Sequence, residues 1–577
     1  MKLKLTAILF TCMIINSSFA QKNTWRNVLE GKGPGNENIS TFAVDDKENT
    51  VAVVRYTGDS VSVGGTTITE KSLRWKTGTL TQLAIIKMNK ELEIKWFKSL
   101  NIIDSAISVT SSDLFLDADG NSILFLNLKG SPNFRLVLDD DTLLPYQGFF
   151  RKEISTLIKL DPNGKILWHL EIEMARSFLT MINIDKSGNI YLGGSFSNGT
   201  REIIFNSLKL NNPHYLTGGE VFIVKLNSEG KAIWGNTFGG KYHESINDMD
   251  IDRDGNVYFC GIFSSDSILF ANDTLIHPSG GAPVFPNYCY VAKLNEDGSP
   301  EWARSNNSRY SHKGALRRIF SESSQLYSVV GISEEHNFKF EKFTLNKGAF
   351  LANYNSSGTL QSAFSFSDTM ILNYKDLQAD SSGNLFLAGY FNRDSLKINN
   401  VWEKNFGIGS GTKDIYAIKF DSSDKASLYF HIGGEDDDDI DAFIVSPSGN
   451  IKVAGNFKSN RFHLDTIEIE NSQFPSIDFF LADFGLMKQV QNDVKRVKSS
   501  NLLKVYPNPA KDILFIEHEL PIQSYRMSVY NLTGELIKSE KHTGRSSSID
   551  ISDLKNGVYV FTIYDEGILH RSLIIKK

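Results

Sequence analysis

Residues Ile251–Trp302 decide the fold. They read IDRDGNVYFCGIF (251–263), then a polar passage, then YVAKLNEDGSPEW (290–302). Two hairpins stand in this stretch, turning at Asp254-Gly255-Asn256 and at Asp297-Gly298 between apolar or alternating runs, which is the strongest short-range hairpin signal. The first hairpin recurs. Asn121, Asn189, Asn256, Asn384 and Asn450 each follow a glycine (Gly120, Gly188, Gly255, Gly383, Gly449), and their successive differences are 68, 67, 128 and 66. The double interval holds a copy without the dipeptide, Phe320–Tyr327, and an earlier copy lies at Val44–Val51. The second hairpin recurs from positions 84, 156, 222, 290, 350 and 416, and its first four copies end in Trp96, Trp168, Trp234 and Trp302. A last half-copy, FFLADF (479–484), has no tryptophan strand after it.

The N-terminal end is the mirror of that defect. Trp25-Arg-Asn-Val-Leu stands 71 residues before Trp96, a tryptophan strand with no hairpin before it. Pairing it with Phe479–Phe484 would close the array and leave no open edge. Seven four-stranded units, each longer than an ordinary blade of ~40–50 residues, therefore predict an all-β chain. The expected fold is a seven-bladed β-propeller closed by its N-terminal strand, then a small C-terminal β-sandwich. The divisions are a leader at 1–20, the propeller at 21–488, a linker at 489–500 and the C-terminal domain at 501–577. The extra length, as at 136–155, 205–219 and 269–287, is expected to cover one face of the disk.

Composition agrees with this class. Aromatics make up 11% of the 577 residues and glycine contributes 44, as turn-rich β proteins require. A net charge of −6 gives no basic footprint for nucleic acid or anionic lipid. Lys2, Lys4, the apolar run Leu5–Ile15 and Ser18-Phe19-Ala20 form a secretory signal with cleavage expected between Ala20 and Gln21. A lipoprotein signal at Cys12 would leave too short an apolar region. No later apolar run approaches ~20 residues, so no transmembrane segment is expected. Cys260 and Cys289 are read as buried thiols rather than a cross-strand disulfide.

Gly255-Asn256-Val257-Tyr258 with Gly261 and Phe263, and Gly188-Asn189-Ile190-Tyr191 with Gly194 and Phe196, resemble the seven-bladed propeller repeat family of exported bacterial proteins. The resemblance covers roughly residues 21–485 and implies a fold and an envelope or extracellular address. After residue 501 come Tyr506-Pro507-Asn508-Pro509, Val529–Gly534, and Leu554–Tyr559 with Asn556 and Gly557, ending at Lys576-Lys577. These motifs resemble the type A C-terminal sorting domain of the Bacteroidota type IX secretion system. That resemblance implies partners in the secretion machinery and a sortase-like peptidase, with the mature chain secreted or attached to the outer-membrane surface.

Candidate chemistry is sparse. Asp117–Asn121 and Asp252–Asn256 begin like a calcium loop but lack its flanking helices and its twelfth-position acid, so they are read as turns. The run Glu435–Asp439 with Asp441 offers Asp436, Asp437, Asp438, Asp439 and Asp441 as weak calcium ligands. The plainer reading is a solvated, self-repelling loop. Gly164–Trp168, Gly230–Trp234 and Gly298–Trp302 miss the sialidase aspartate-box spacing, and each Trp is expected to pack between blades. The eleven histidines lack metal spacing, and no nucleophile elbow, phosphate loop or dinucleotide fingerprint is present. No catalytic residue and no cofactor is named. The leading expectation is a monomeric binding or scaffold module for an extracellular glycan or protein. Its rivals are a polysaccharide-active enzyme with acids meeting at the funnel and a calcium-stabilised adhesin.

Overall fold

A computed structural model describes residues 23–486 and 503–577 apart from short stretches, the longest being 70–80, 278–287 and 306–317. Among the described residues the elements are strands and turns, with no helix. The chain forms two compact units, Met1–Leu486 and Met487–Lys577.

In the first unit the strands associate in antiparallel groups of four. Sheet one runs Asn38–Val44, Thr50–Thr57, Thr81–Met88 and Ile94–Ile103, each strand bonded to the next. Sheets two to six repeat that order and open at Ile107–Leu116, Phe178–Ile184, Glu244–Ile251, Arg318–Ser323 and Leu372–Ala379. Sheet seven takes Asp438–Val445, Ile451–Phe457 and Asp478–Leu486, and its fourth strand is Asn23–Lys32 from the opposite end of the chain. Middle strands such as Val221–Leu226 and Tyr288–Leu294 are buried along their whole length. They read as continuous apolar runs because neighbouring sheets cover both faces. One core cluster accordingly joins Tyr258 and Val291 of sheet four to Tyr327 and Phe350 of sheet five.

The first hairpin's turn explains its own sequence. In Asp185–Asn189 the Asp185 carboxylate accepts from the backbone N–H of Ser187 and Asn189 (both 2.9 Å) and from the Asn189 side-chain amide (2.8 Å). Gly188 closes the turn at φ +78°, a backbone region that side chains disfavour. Asp45, Asp117, Asp252 and Asp380 hold their asparagines the same way, and Ser446 replaces the carboxylate before Asn450.

The tryptophans join successive sheets. The indole N–H of Trp96, Trp168, Trp234 and Trp302 donates to the carbonyl of Pro162, Ser228, Glu296 and Ser356, respectively, at 2.8–3.1 Å. Each acceptor sits in the second-hairpin turn of the next sheet. The glycine of that turn lies under the indole. A Cβ on Gly298 would come within 2.7 Å of Trp234, and one on Gly358 within 2.8 Å of Trp302.

Trp25 departs from this pattern. In sheets one to four the tryptophan faces the third-strand lysine, as Lys225 faces Trp234. In sheet seven the corresponding residue is Asp483, which faces Arg26, while Trp25 faces Phe484. A one-residue offset turns a side chain to the opposite face of a strand. Trp25 therefore packs against Phe430 and Phe484, with ring centroids at 5.1 and 4.8 Å, instead of bonding forward. The N-terminal strand pairs with Phe479–Phe484, but its tryptophan is not the counterpart of Trp96.

Of the insertions named from the sequence, 136–155 lies on a neighbouring sheet's edge, and 278–287 lies outside the described residues. Between second and third strands the chain forms two-stranded hairpins, and three of them extend the preceding sheet. Ser60–Val63 pairs with Asn23–Lys32, Phe134–Leu138 with Ile94–Ile103, and Arg461–Leu464 with Ala426–Gly434. These three cover the outer edge strand of a neighbouring sheet, and an unpaired edge strand invites aggregation.

In the second unit, Leu503–Tyr506, Ile513–His518 and Ser546–Asp550 form one sheet. Leu536–His542, Tyr525–Tyr530, Gly557–Asp565 and Ile568–Lys576 form the other. Leu514 and Ile549 from the first and Met527, Val529, Phe561 and Ile574 from the second share one core. Leu503–Tyr506 lies at a sheet edge, as the prolines that follow it demand.

Candidate functional site

Among the described residues, the opening strands of these sheets lie against one another in succession. Asn38–Val44 meets Ile107–Leu116, which meets Phe178–Ile184, and so on to Asp438–Val445, which returns to Asn38–Val44. Six of these strands line one cavity of about 490 Å³. Its charged lining is Asp113, Asp248, Asp250, Asp376, Asp441 and Lys375.

Several of these carboxylates hold a neighbour's side chain. Thr41 donates to Asp113 (3.2 Å) and Asn183 to Asp250 (3.0 Å). Gln378 donates both to Asp376 (2.8 Å) and to the Phe443 carbonyl (2.9 Å), tying sheet six to sheet seven. Asp441 accepts from the Asn456 amide. Burial pushes the Asp441 carboxyl up to about 7 against the opposing pull of Lys375 and Arg55, with Asp439 adding to the rise.

Of these acids only Asp441 was singled out from the sequence, as a calcium ligand within the acidic run, although a signal for others was present. Asp113, Asp248 and Asp376 each stand four residues ahead of the turn aspartates Asp117, Asp252 and Asp380. Alternation along a strand then decides which of them turn to the cavity.

The acidic run is a loop only over 435–437, where Glu435 and Asp437 are exposed, and from Asp438 onward it is a strand. Asp438 is fully buried and accepts from the Ser459 hydroxyl (2.9 Å) and from the backbone N–H of Lys458 and Ser459 (3.2 and 3.3 Å). Asp439 pairs with Lys413 at 2.9 Å and Asp436 with Lys458 at 3.4 Å. Asp437 accepts from the Lys413 backbone N–H at 3.3 Å, and Asp441 faces the cavity. Strand pairing thus draws lysines and backbone donors onto Asp436, Asp438 and Asp439. Among the described residues no three His, Cys, Asp or Glu side chains are grouped to hold a metal ion.

Gly120, Gly188, Gly255, Gly383 and Gly449 sit at φ between +76° and +83°, beside Asn121, Asn189, Asn256, Asn384 and Asn450. Cys260 and Cys289 are buried thiols, facing Val291 and Ile262 rather than each other. In the second unit, Tyr506 stacks on Phe515 at 5.9 Å, and Pro507 and Pro509 are exposed. The Asn508 side-chain oxygen accepts from the Ile575 N–H (2.9 Å), and the Tyr559 hydroxyl donates to the Lys555 carbonyl (2.9 Å). Asn556 is exposed and Gly557 faces Lys576. Ala20, Gln21, Gly534 and the linker 489–500 lie outside the described residues.

Comparison with known proteins identifies the second unit. Residues 504–577 match the family described as the secretion system C-terminal sorting domain. That match supports export through the type IX system. No curated protein matches the chain. Among solved structures, a DUF4221-family member from Bacteroides vulgatus is similar at 10% identity, covering 67% of this chain and 98% of that one, with a TM-score of 0.28. A glycoside hydrolase family 32 protein from Bifidobacterium adolescentis shares 10% identity over 95% of both chains, with a TM-score of 0.25. Scores this low carry no argument about function. No helix among the described residues is long and apolar enough to cross a membrane.

Proposed function

We propose that residues 21–488 are a seven-bladed β-propeller closed by the N-terminal strand, which binds an extracellular glycan or protein at its acid-lined axial cavity without catalysis. The sorting domain delivers it through the type IX machinery, and a sortase-like peptidase removes that domain. The mature chain is then released or attached to the cell surface. The closed succession of opening strands and the sorting-domain match support this reading. The observation that carries it is the cavity lining, where Asp113, Asp250, Asp376 and Asp441 are held by Thr41, Asn183, Gln378 and Asn456. Acceptors fixed in this way suit the hydroxyls of a glycan or the ammonium groups of a protein.

The test is a glycan array probed with the mature chain, followed by calorimetry on any hit. Asp376→Asn is expected to weaken binding about tenfold, the worth of one charge-assisted hydrogen bond, with circular dichroism unchanged. Equal affinity of the two forms would place the ligand elsewhere.

One observation favours an enzyme as the second reading. Asp441, raised to about 7, shares the cavity with Asp113 and Asp376, and a carboxyl that keeps its proton near neutrality is what a glycosidic general acid requires. New reducing ends from a bound glycan, lost in Asp441→Asn while binding persists, would establish that reading over the first.

A further inference from the structure

Three junctions between successive sheets are built on a repeated pair of buried acids. Glu37 precedes the first strand of sheet one and feels the charge of Asp478, which opens the third strand of sheet seven. Glu244 opens sheet four beside Glu220, just ahead of the third strand of sheet three. Asp438 opens sheet seven beside Asp414, which opens the third strand of sheet six. The backbone repeats as well. The N–H of Glu37, Glu244 and Asp438 donates to the carbonyl just before the partner acid, at Ile477, Gly219 and Lys413 (2.9, 3.0 and 2.9 Å). Glu37, Asp414, Asp438 and Asp478 are 0% exposed, and Glu220 and Glu244 are 4% exposed.

The groups that hydrogen-bond to Glu37 and Glu244 are backbone N–H groups and a hydroxyl. Glu37 meets the Gly35 and Gly33 N–H groups and the Asp478 carboxylate, and its Oε2 has no hydrogen-bond partner. Glu244 meets the Gly240 N–H (3.0 Å), the Ser265 N–H (3.3 Å) and hydroxyl (2.5 Å), and Glu220. Glu220 in turn meets His214 Nδ1 at 2.8 Å. At the third junction His431 Nε2 lies 2.8 Å from Asp414, with Glu403 3.9 Å from its other ring nitrogen. Two carboxylates buried side by side cannot both stay ionised cheaply.

We propose that Glu37–Asp478 and Glu220–Glu244 are acid clasps. In each pair one carboxyl holds a proton while the junction is tight, and the second charge loosens it, so that closure of sheet seven on sheet one is stabilised by acid. Burial is the first cause in both pairs, and it holds Glu37 and Glu244 up at about 7 against an ordinary 4.5. Between those values the folded chain carries protons that the unfolded chain has released. The clasp's contribution is complete below about 4.5 and is lost as pH rises through 7.

All seven tryptophans lie in the first unit, so tryptophan fluorescence follows its unfolding alone. The mature full-length chain is melted at pH 5 and pH 8 at fixed ionic strength. Tm is expected to fall by several degrees between them. Glu37→Gln and Glu244→Gln, which keep a neutral side chain, should each shrink that fall. A wild-type Tm equal at both pH values, or variants as pH-sensitive as wild type, overturns the proposal. Should one variant fail to fold, the other and the wild-type comparison still decide. Calcium chloride at pH 8 is the remaining arm. If it restores the pH 5 Tm and Glu37→Gln abolishes that rescue, the pair is a cation site and proton sharing is overturned. Neither result touches the axial cavity, so binding there stands or falls separately.

Discussion

The junctions from sheet one to sheet five and the junction that closes the array solve the same problem with different chemistry. The first four carry an indole hydrogen-bonded to the next turn's carbonyl, with a glycine beneath it. The junction of sheet seven with sheet one has no such bond, because its tryptophan faces backward onto Phe430 and Phe484, and it keeps only a buried acid pair of the kind that sheets three and four carry beside their latch. Sheet five shows the intermediate state. Ser362 replaces the tryptophan, and Asp424, at φ +62°, replaces the opposing glycine. The Asp424 carboxylate accepts from Ser362 (3.1 Å) and Asn353 (3.1 and 3.2 Å). A bulky latch requires glycine opposite, whereas a small one leaves room for a side chain. The lesson is that the two partners of a junction are chosen together, about 60 residues apart.

Breaking the closing junction should have the largest effect. Trp25→Ala removes a buried aromatic from the only strand that comes from the other end, and about 3–5 kcal/mol of stability should be lost, read by urea unfolding on tryptophan fluorescence. A loss under 1 kcal/mol would mean that the N-terminal strand does not hold sheet seven.

The latched junctions are sharpened by a pair of glycines. Gly383 has φ +76° and open space around its missing side chain, while Gly298 has φ +84° and Trp234 within 2.7 Å. Gly383→Ala should cost about 1 kcal/mol from backbone strain alone. Gly298→Ala should cost about 2–4 kcal/mol, since strain and overpacking combine. Equal costs would remove the indole from the explanation.

Trp234→Phe should cost about 1–2 kcal/mol, for the lost bond to the Glu296 carbonyl and some packing. In a double-mutant cycle it should also relieve part of the Gly298→Ala penalty. The smallest effect is none. Dithiothreitol should leave Tm unchanged, since Cys260 and Cys289 are thiols, and a fall in Tm would reveal a disulfide.

The repeat, its turns and the pairing partner of the N-terminal strand were legible because each rests on local chemistry or on counting. Gly-Asn after an aspartate is a turn in any context, and an orphan strand at each end asks for the other. The face of Trp25 was not legible, because a bulge between Arg26 and Leu29 shifts a register that sequence spacing measures only to within a residue. The cavity acids other than Asp441 were missed for a related reason. Asp113, Asp248 and Asp376 lie on strands more than a hundred residues apart, and no local pattern declares that such strands line one cavity. The acidic run misled because a tally of like charges omits the lysines and serines that pairing brings to it.

By itself the sequence determined the period, the four-strand content of each unit, the sorting module and which ends are incomplete, since hydrophobic alternation and turn chemistry act over a few residues. Only the tertiary structure decided which acids face one another, which tryptophans bond forward and where the insertions lie. Those outcomes depend on register and on neighbouring sheets, and a one-residue shift that leaves the pattern almost unchanged sends every side chain to the other face.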